Sequence, residues 1–283
     1  MKMTNGILIV NKEPNYTSRD VVNIVSKKLQ TKKVGHTGTL DPLASGVLVI
    51  CVERYTKLVD LLTCLNKEYI AEIKLGIATD TLDITGNILE SKSFDITQET
   101  IKETLESFIG EYQMEVPIYS AIKVGGKKLY EYARNNELVE LPVKKVKIYE
   151  IDFLNYHNDI IKFKVKVEKG TYIRSLIRDI CQKLNTVGTM NSLVRTKQGE
   201  FSLSDAINIE DIKNNNFKLL KAQDILKFKQ YHLNDTELQK VQNGNEIYLP
   251  LEEEYILLLY NLEEIAIYKN SGPTYKCYIM LKI

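Results

Sequence analysis

Gly35-His36-Thr37-Gly38-Thr39-Leu40-Asp41-Pro42-Leu43-Ala44-Ser45-Gly46 is the most informative run in this chain of 283 residues. Its three glycines permit tight turns and close approach of backbone to a ligand. Asp41 precedes Pro42, which biases it toward extended backbone. An aspartate presented in this way serves as a nucleophile, a general base, a metal ligand or an Asx-turn residue. Residues 33–46 as a whole read as a loop, and the segments around it read as regular structure. Residues 6–10 form a short apolar strand pattern, and Ser18 is placed to N-cap a helix carrying Val21, Val22, Ile24, Val25 and Leu29. Residues 47–52 make a second buried strand.

Further along, residues 69–75 alternate apolar and polar side chains, as a half-exposed strand does. Residues 97–108 pattern as an amphipathic helix with a Thr cap. Residues 146–153 and 160–167 pattern as paired strands joined by a turn at 157–159, and 174–184 as a helix. Strands and helices alternate without a βαβ rhythm, so the expected class is α+β. A polar, helix-like stretch at 208–229 precedes a change of composition. Residues 231–283 read as short strands divided by Asn-Gly, Leu-Pro and Ser-Gly-Pro turns, which predicts a catalytic domain at 1–230 and a small β domain at 231–283.

Composition excludes several classes. The net charge is +1, so the chain as a whole carries no electrostatic signature of a nucleic-acid binder, and any such role rests on local patches. Cys51, Cys64, Cys181 and Cys277 have no CxxC spacing, and the three histidines do not cluster with them. The expectation is four buried, reduced thiols and no metal. Apolar runs are too short to span a bilayer, and residues 1–12 lack a signal-peptide layout. The expected location is the cytoplasm. Ser120 has no histidine at useful spacing, which argues against a Ser–His–Asp hydrolase.

The loop resembles the active-site motif of the TruB family of pseudouridine synthases, which modify the T-loop of tRNA. The likeness continues in Lys67-Glu68-Tyr69 and in Gly76-Ile77-Ala78-Thr79-Asp80-Thr81-Leu82-Asp83. It is seen again in Pro117-Ile118-Tyr119-Ser120-Ala121-Ile122-Lys123, in Gly126-Lys127-Lys128-Leu129-Tyr130-Glu131-Tyr132-Ala133-Arg134 and in Lys169-Gly170-Thr171-Tyr172-Ile173-Arg174-Ser175-Leu176. It covers roughly residues 6–200. One motif departs: the family reads Asp-Lys-Pro-x-Gly-x-Thr-Ser where this chain has Asn11-Lys12-Glu13-Pro14-Asn15-Tyr16-Thr17-Ser18.

The resemblance implies a central mixed, largely antiparallel sheet flanked by helices and loops, with a small PUA-like β domain at the C-terminus. It implies isomerisation of a T-loop uridine (position 55) to pseudouridine, with no cofactor. The C1′–N1 bond breaks, the base turns, and it rejoins through C5. Asp41 is then the catalytic carboxylate, attacking C1′, attacking C6 or assisting ribose deprotonation. Arg174 is its counter-ion, and a nearby cation favours the ionised carboxylate. Arg178, one helical turn on, has no match in the motif and reads as a solvated or structural residue. Tyr69 stacks on the base. His36, Tyr172, Leu193 and Asp83 line or flank the base pocket, Asp83 having a turn-forming reading beside this one. Lys12 is placed among the substrate contacts.

Residues 123–147 correspond to the insertion that closes over the T-arm in the family. Six lysines and one arginine against three glutamates give it +4. Lys123, Lys127 and Lys128, interleaved with Tyr130 and Tyr132, suit phosphate contact and stacking. Four lysines against one aspartate and seven glutamates give residues 231–283 a charge of −4, a poor phosphate grip. The expected partner is the T-arm of tRNA, with no protein partner and a monomeric enzyme. A guide-RNA-dependent relative and a catalytically silent tRNA-binding chaperone are the alternatives. The insertion, and the lack of long basic extensions, favour the stand-alone enzyme.

Overall fold

A computed structural model describes residues 5–282; the first four residues of the leader reading and the last residue of the C-terminal segment lie outside the described residues. A ten-stranded sheet organises the chain. Its main path runs Ile207–Asn208, Gly6–Lys12, Ser45–Val52, Gly188–Gln198, Lys67–Leu75, Ile160–Val167, Val143–His157 and Gly110–Glu115. Two pairings are parallel, Gly6–Lys12 with Ile207–Asn208 and Ser45–Val52 with Gly188–Gln198, and the other pairings of the sheet are antiparallel. The mixed, largely antiparallel sheet and the α+β class are as expected.

Period-two patterning explains the strands. In Lys67–Leu75 every second residue from Lys67 is buried and those between are half-buried. The buried phase places Tyr69 on the face that carries Ala71 and Ile73. One face of the sheet is covered by the helices Ser18–Leu29, Gln98–Glu106 and Ile173–Lys183, whose Val21, Val25, Ile101, Leu105, Leu176, Ile177 and Ile180 share one core with Leu48, Ile50, Ile73 and Phe163.

The structure corrects four local expectations. Thr17, not Ser18, caps the first helix: its hydroxyl accepts the Asp20 N–H at 3.1 Å, and the Asp20 carboxylate accepts the Thr17 N–H at 2.8 Å. Residues 33–46 are not all loop, because Val34–His36 pairs with the end of Ser45–Val52. The stretch 208–229 is broken into Ile209–Lys213 and Ala222–Ile225, with Asn215 left-handed at φ 60° between them. Of the four cysteines only Cys51 and Cys181 are buried, their thiols pushed up to about 12 by burial; Cys64 is exposed.

The C-terminal sheet runs Lys229–His232, Tyr255–Tyr260, Glu263–Asn270, Tyr275–Met280. It also carries a helix, Asp235–Gln242, capped by Asn234, which the strand-and-turn reading missed. Its face is not free. Leu257, Leu259, Ile267, Ile279 and Leu281 are buried in one cluster with Ile7, Ile9, Val47 and Val49 on the back of the main sheet. The buried Glu264 accepts the Tyr55 hydroxyl and the Gln223 N–H across the same seam. Each fully buried aliphatic side chain contributes about 1.5–3 kcal/mol. Baring those four main-sheet residues therefore costs roughly 6–12 kcal/mol, comparable with the net stability of a domain, about 5–15 kcal/mol. Deletion of residues 231–283 is accordingly expected to give an aggregating or unfolded protein, read by circular dichroism and sedimentation. A folded truncation would contradict this packing.

Candidate active site

The Asp41 loop is held from several sides. Gln198 Nε2 donates to the Thr37 hydroxyl at 2.6 Å, and Arg195 donates from NH2 to the Gly38 carbonyl at 3.1 Å and from Nε to the Val47 carbonyl at 2.7 Å. Ser18 closes both main-chain groups of Leu40: its hydroxyl accepts the Leu40 N–H at 2.9 Å and donates to the Leu40 carbonyl at 3.2 Å. Asn15 N–H and Lys12 Nζ both donate to the Pro42 carbonyl, at 2.8 and 3.3 Å. Gly46 closes the loop at φ +104°, where a Cβ would run into the Arg195 carbonyl. The departure at 11–18 is accommodated here. Asn15 stands where the family has Gly and takes φ 69°, a conformation asparagine tolerates.

This scaffold aims Asp41 at Arg174, 133 residues away in sequence. Arg174 Nε donates to Asp41 Oδ2 at 2.9 Å and NH2 to Oδ1 at 3.1 Å, a bidentate pair. The arginine is further held by the Thr81 carbonyl (3.0 Å, from NH1) and the Tyr119 carbonyl (3.0 Å, from NH2). Its side chain is 6% exposed, whereas that of Asp41 is 31% exposed. The cation is buried behind and the anion faces out. Such an arrangement orients an ionised carboxylate toward whatever enters.

What Asp41 faces is a cleft of about 470 Å³. Tyr69, Tyr172, Leu193 and Arg174 line it with Asp41, so five of the sequence-derived site residues converge there. Tyr69 and Leu193 are largely buried walls, and Tyr172 caps the N-terminus of the Arg174 helix, its phenol raised by burial. A smaller cavity of about 290 Å³, lined by residues such as Leu61, Leu65, Phe201 and Phe228, has Glu200 and Lys227 as its charged groups. Those two pair with each other at 2.7 Å, leaving no free group for chemistry. Among the described residues no cluster of three or more His, Cys, Asp or Glu could hold a metal ion, and no helix is long and apolar enough to cross a membrane.

Other expected contacts lie elsewhere. Lys12 is 0% exposed, and its ammonium donates to the carbonyls of Glu13, Tyr16 and Pro42. It is a strut of the Asp41 loop rather than a surface for RNA, and burial lowers its pKa to about 8. Asp83 does not line the cleft. Its Oδ1 accepts from the Thr81 hydroxyl (2.9 Å) and the Thr85 N–H (3.0 Å), stiffening the turn whose Thr81 carbonyl holds Arg174. The turn-forming reading is the one this geometry fits. Arg178 turns away to Glu115 and Asp179, each at 2.7 Å.

His36 also lies outside the cleft lining, its Nδ1 accepting the Gly38 N–H at 3.3 Å. Burial first, then the positive charges of Arg19 and Arg195, lower its pKa below 6.5. The sign follows: a histidine neutral when folded but protonated when unfolded contributes stability above pH 6.5 and loses it as pH falls toward its folded value. An NMR titration of the His36 ring is expected to show a midpoint below 6.5, and a higher midpoint would contradict the burial described.

The insertion forms a hairpin, Lys123–Val124 with Lys127–Lys128, followed by the helix Leu129–Arg134. Tyr130 on that helix lines the cleft. Lys128 and Arg134 lie over its ring at 5.4 and 5.3 Å. Part of the local positive charge is neutralised: Lys127 pairs with Glu137 at 2.6 Å and Lys145 with Glu111 at 2.7 Å. Sequence reading missed Arg195, 1% exposed and lining the cleft. The available signal was an arginine in the buried phase of the strand Gly188–Gln198, two residues after Leu193.

Comparison with known proteins defines the class, a pseudouridine synthase. The chain superposes with a TM-score of 0.74 on a chain of "Structure of H/ACA RNP bound to a substrate RNA containing 2'-deoxyuridine", covering 99% of this chain and 86% of that one at 22% identity, a likeness of fold. Residues 26–173 match the model of the TruB family pseudouridylate synthase N-terminal domain. Over 274 residues the chain is 42% identical to the tRNA pseudouridine synthase B of Caldanaerobacter subterraneus subsp. tengcongensis, covering 95% of this chain and 92% of that protein. It is 40% identical over 280 residues to the enzyme of the same name from Mesoplasma florum, covering 96% of each. The chain belongs to the TruB family.

Proposed function

We propose that this chain converts the T-loop uridine of tRNA (position 55) to pseudouridine on its own, without a guide RNA. The observation that carries the reading is the Asp41–Arg174 pair, with its cation buried and its carboxylate open to a nucleoside-sized cleft. Isomerisation of uridine conserves every atom except the exchanged C5 proton, so the site needs one placed carboxylate, one aromatic wall and shelter from water. Asp41 supplies the first at the sugar–base junction. Arg174 keeps it ionised and oriented. Tyr69 offers its ring to the extruded base, a stacking contact worth about 1–3 kcal/mol. Leu193 and Tyr172 shape the remaining walls.

A T-loop uridine lies stacked inside folded tRNA, so it must be flipped out, at a few kcal/mol. Phosphate contacts offset that cost and set the register. Lys123 and Lys128, which have no carboxylate partner among the described residues, stand on the insertion beside Tyr130 for this purpose. The C-terminal sheet, with its acidic balance, serves chiefly as a buttress behind the catalytic strands. Near-full-length likeness to proteins named tRNA pseudouridine synthase B at about 40% identity, against 22% to the ribonucleoprotein chain, supports action on tRNA without a guide; we read the enzyme as a cytoplasmic monomer.

Purified protein and transcribed tRNA, with no other RNA, test the reading. Tritium release from 5-tritiated uridine and mapping of the product should show one pseudouridine in the T-loop. Turnover only on addition of a guide RNA, or binding without turnover, would replace this reading with one of its two rivals.

A further inference from the structure

Two buried side-chain polar atoms among the described residues lack a hydrogen-bond partner, Ser120 Oγ and Gln198 Oε1. They are placed differently. Gln198 is outside the cleft lining and has its amide nitrogen fully engaged by Thr37 and Leu62. Ser120 is 6% exposed and stands in the cleft wall between Tyr119 and Ala121. Its main chain is satisfied: the N–H donates to the Ile118 carbonyl at 2.9 Å, and the carbonyl accepts the Tyr130 N–H at 3.1 Å. The preceding carbonyl, of Tyr119, holds Arg174. The backbone is therefore clamped between the arginine of the ion pair and the helix of the insertion, and rotation about χ1 is the freedom left to the hydroxyl. One polar neighbour is the Tyr172 phenol, whose pKa contact with the Ser120 side chain lowers against the larger effect of burial, but the two groups lack the distance and angles of a hydrogen bond. No histidine bonds it, so it is not a hydrolytic nucleophile.

A buried hydroxyl without a partner is costly to leave so. Its place in the wall of the cleft means that an incoming ligand can supply the partner. We propose that Ser120 Oγ hydrogen-bonds a polar atom of the flipped uridine, making Ser120 a substrate-positioning contact of the isomerisation. This rests on the function proposed above. A hydroxyl both donates and accepts, so it matches a nucleoside's carbonyl, imide or ribose hydroxyl edge. The bond forms only once the nucleotide has left the tRNA stack. Its loss therefore falls on the step after docking, and not on affinity for tRNA, which phosphate contacts dominate.

Ser120→Ala in the full chain tests this against wild type in single-turnover tritium release, filter binding of tRNA and thermal melting. The expected result is a rate reduced about 5- to 150-fold, the effect of losing one hydrogen bond to a buried group. Affinity for tRNA should stay within about twofold, and the melting temperature should hold, because the free protein loses no bond. Ser120→Thr, which keeps the hydroxyl, should recover most of the rate. A Ser120→Ala rate within twofold of wild type would overturn the proposal. So would a fall in melting temperature accompanying the loss of rate, since that marks a hydroxyl bonded within the protein. An inactive wild type would instead count against the function itself.

Discussion

Asp41→Asn should form no measurable pseudouridine while still binding tRNA. Asparagine preserves the size of the side chain and one oxygen acceptor for Arg174, so the loop, held independently by Arg195, Gln198, Ser18 and Lys12, keeps its shape. What is lost is the negative charge at the open end of the pair. Neutralising a central carboxylate in this way costs on the order of 10⁴-fold in turnover. The measurement is tritium release under single-turnover conditions beside filter binding. Near-normal release would remove Asp41 from the chemistry and leave the protein an RNA binder.

Arg174→Met should be inactive too, but for a reason that also appears in stability. The guanidinium joins three segments that are remote in sequence: the Asp41 loop, the turn carrying Thr81, and the loop at Tyr119. Methionine fills much of the volume yet leaves two carbonyls and a carboxylate without their donor. Asp41 is partly exposed and regains water, so the loss is discounted to about 2–4 kcal/mol. Denaturant unfolding should show this loss, whereas Asp41→Asn should cost clearly less. Arg174→Lys is not a rescue, because a single ammonium cannot reproduce four bonds in fixed planar geometry. An Arg174→Met protein as stable as wild type would mean that the three segments are held by other contacts.

Much of the site was legible along the chain. Gly35 to Gly46 announced a shaped loop around an aspartate, and the period-two pattern of residues 69–75 placed Tyr69 in the buried phase. The expectations that shifted involve side chains whose role depends on what lies across space. Lys12 looked like a substrate contact because lysines usually reach solvent, but three carbonyls surround its ammonium. Asp83 looked like a pocket acid, but the Thr81–Thr85 turn consumes its carboxylate. Arg195 drew no attention because no element was read over residues 188–198, and only the structure shows it lying in a strand beneath the Asp41 loop.

The sequence by itself determined the elements that rest on local physics. These are the alternating strands, the capped helices, the glycine and proline turns, and the ordered motifs that identify the family. It also located the aspartate. The pairing of Asp41 with Arg174 came from the family resemblance; only the tertiary structure decided its bidentate form with the cation buried, that the Ser120 hydroxyl lacks a partner in the cleft wall, and that the C-terminal sheet shares a core with the first strands. Periodicity reports which face of an element is buried, because that depends on the nearest few residues. Which buried faces touch is set by closure of the whole sheet, where a strand order and two parallel pairings bring together residues more than a hundred positions apart.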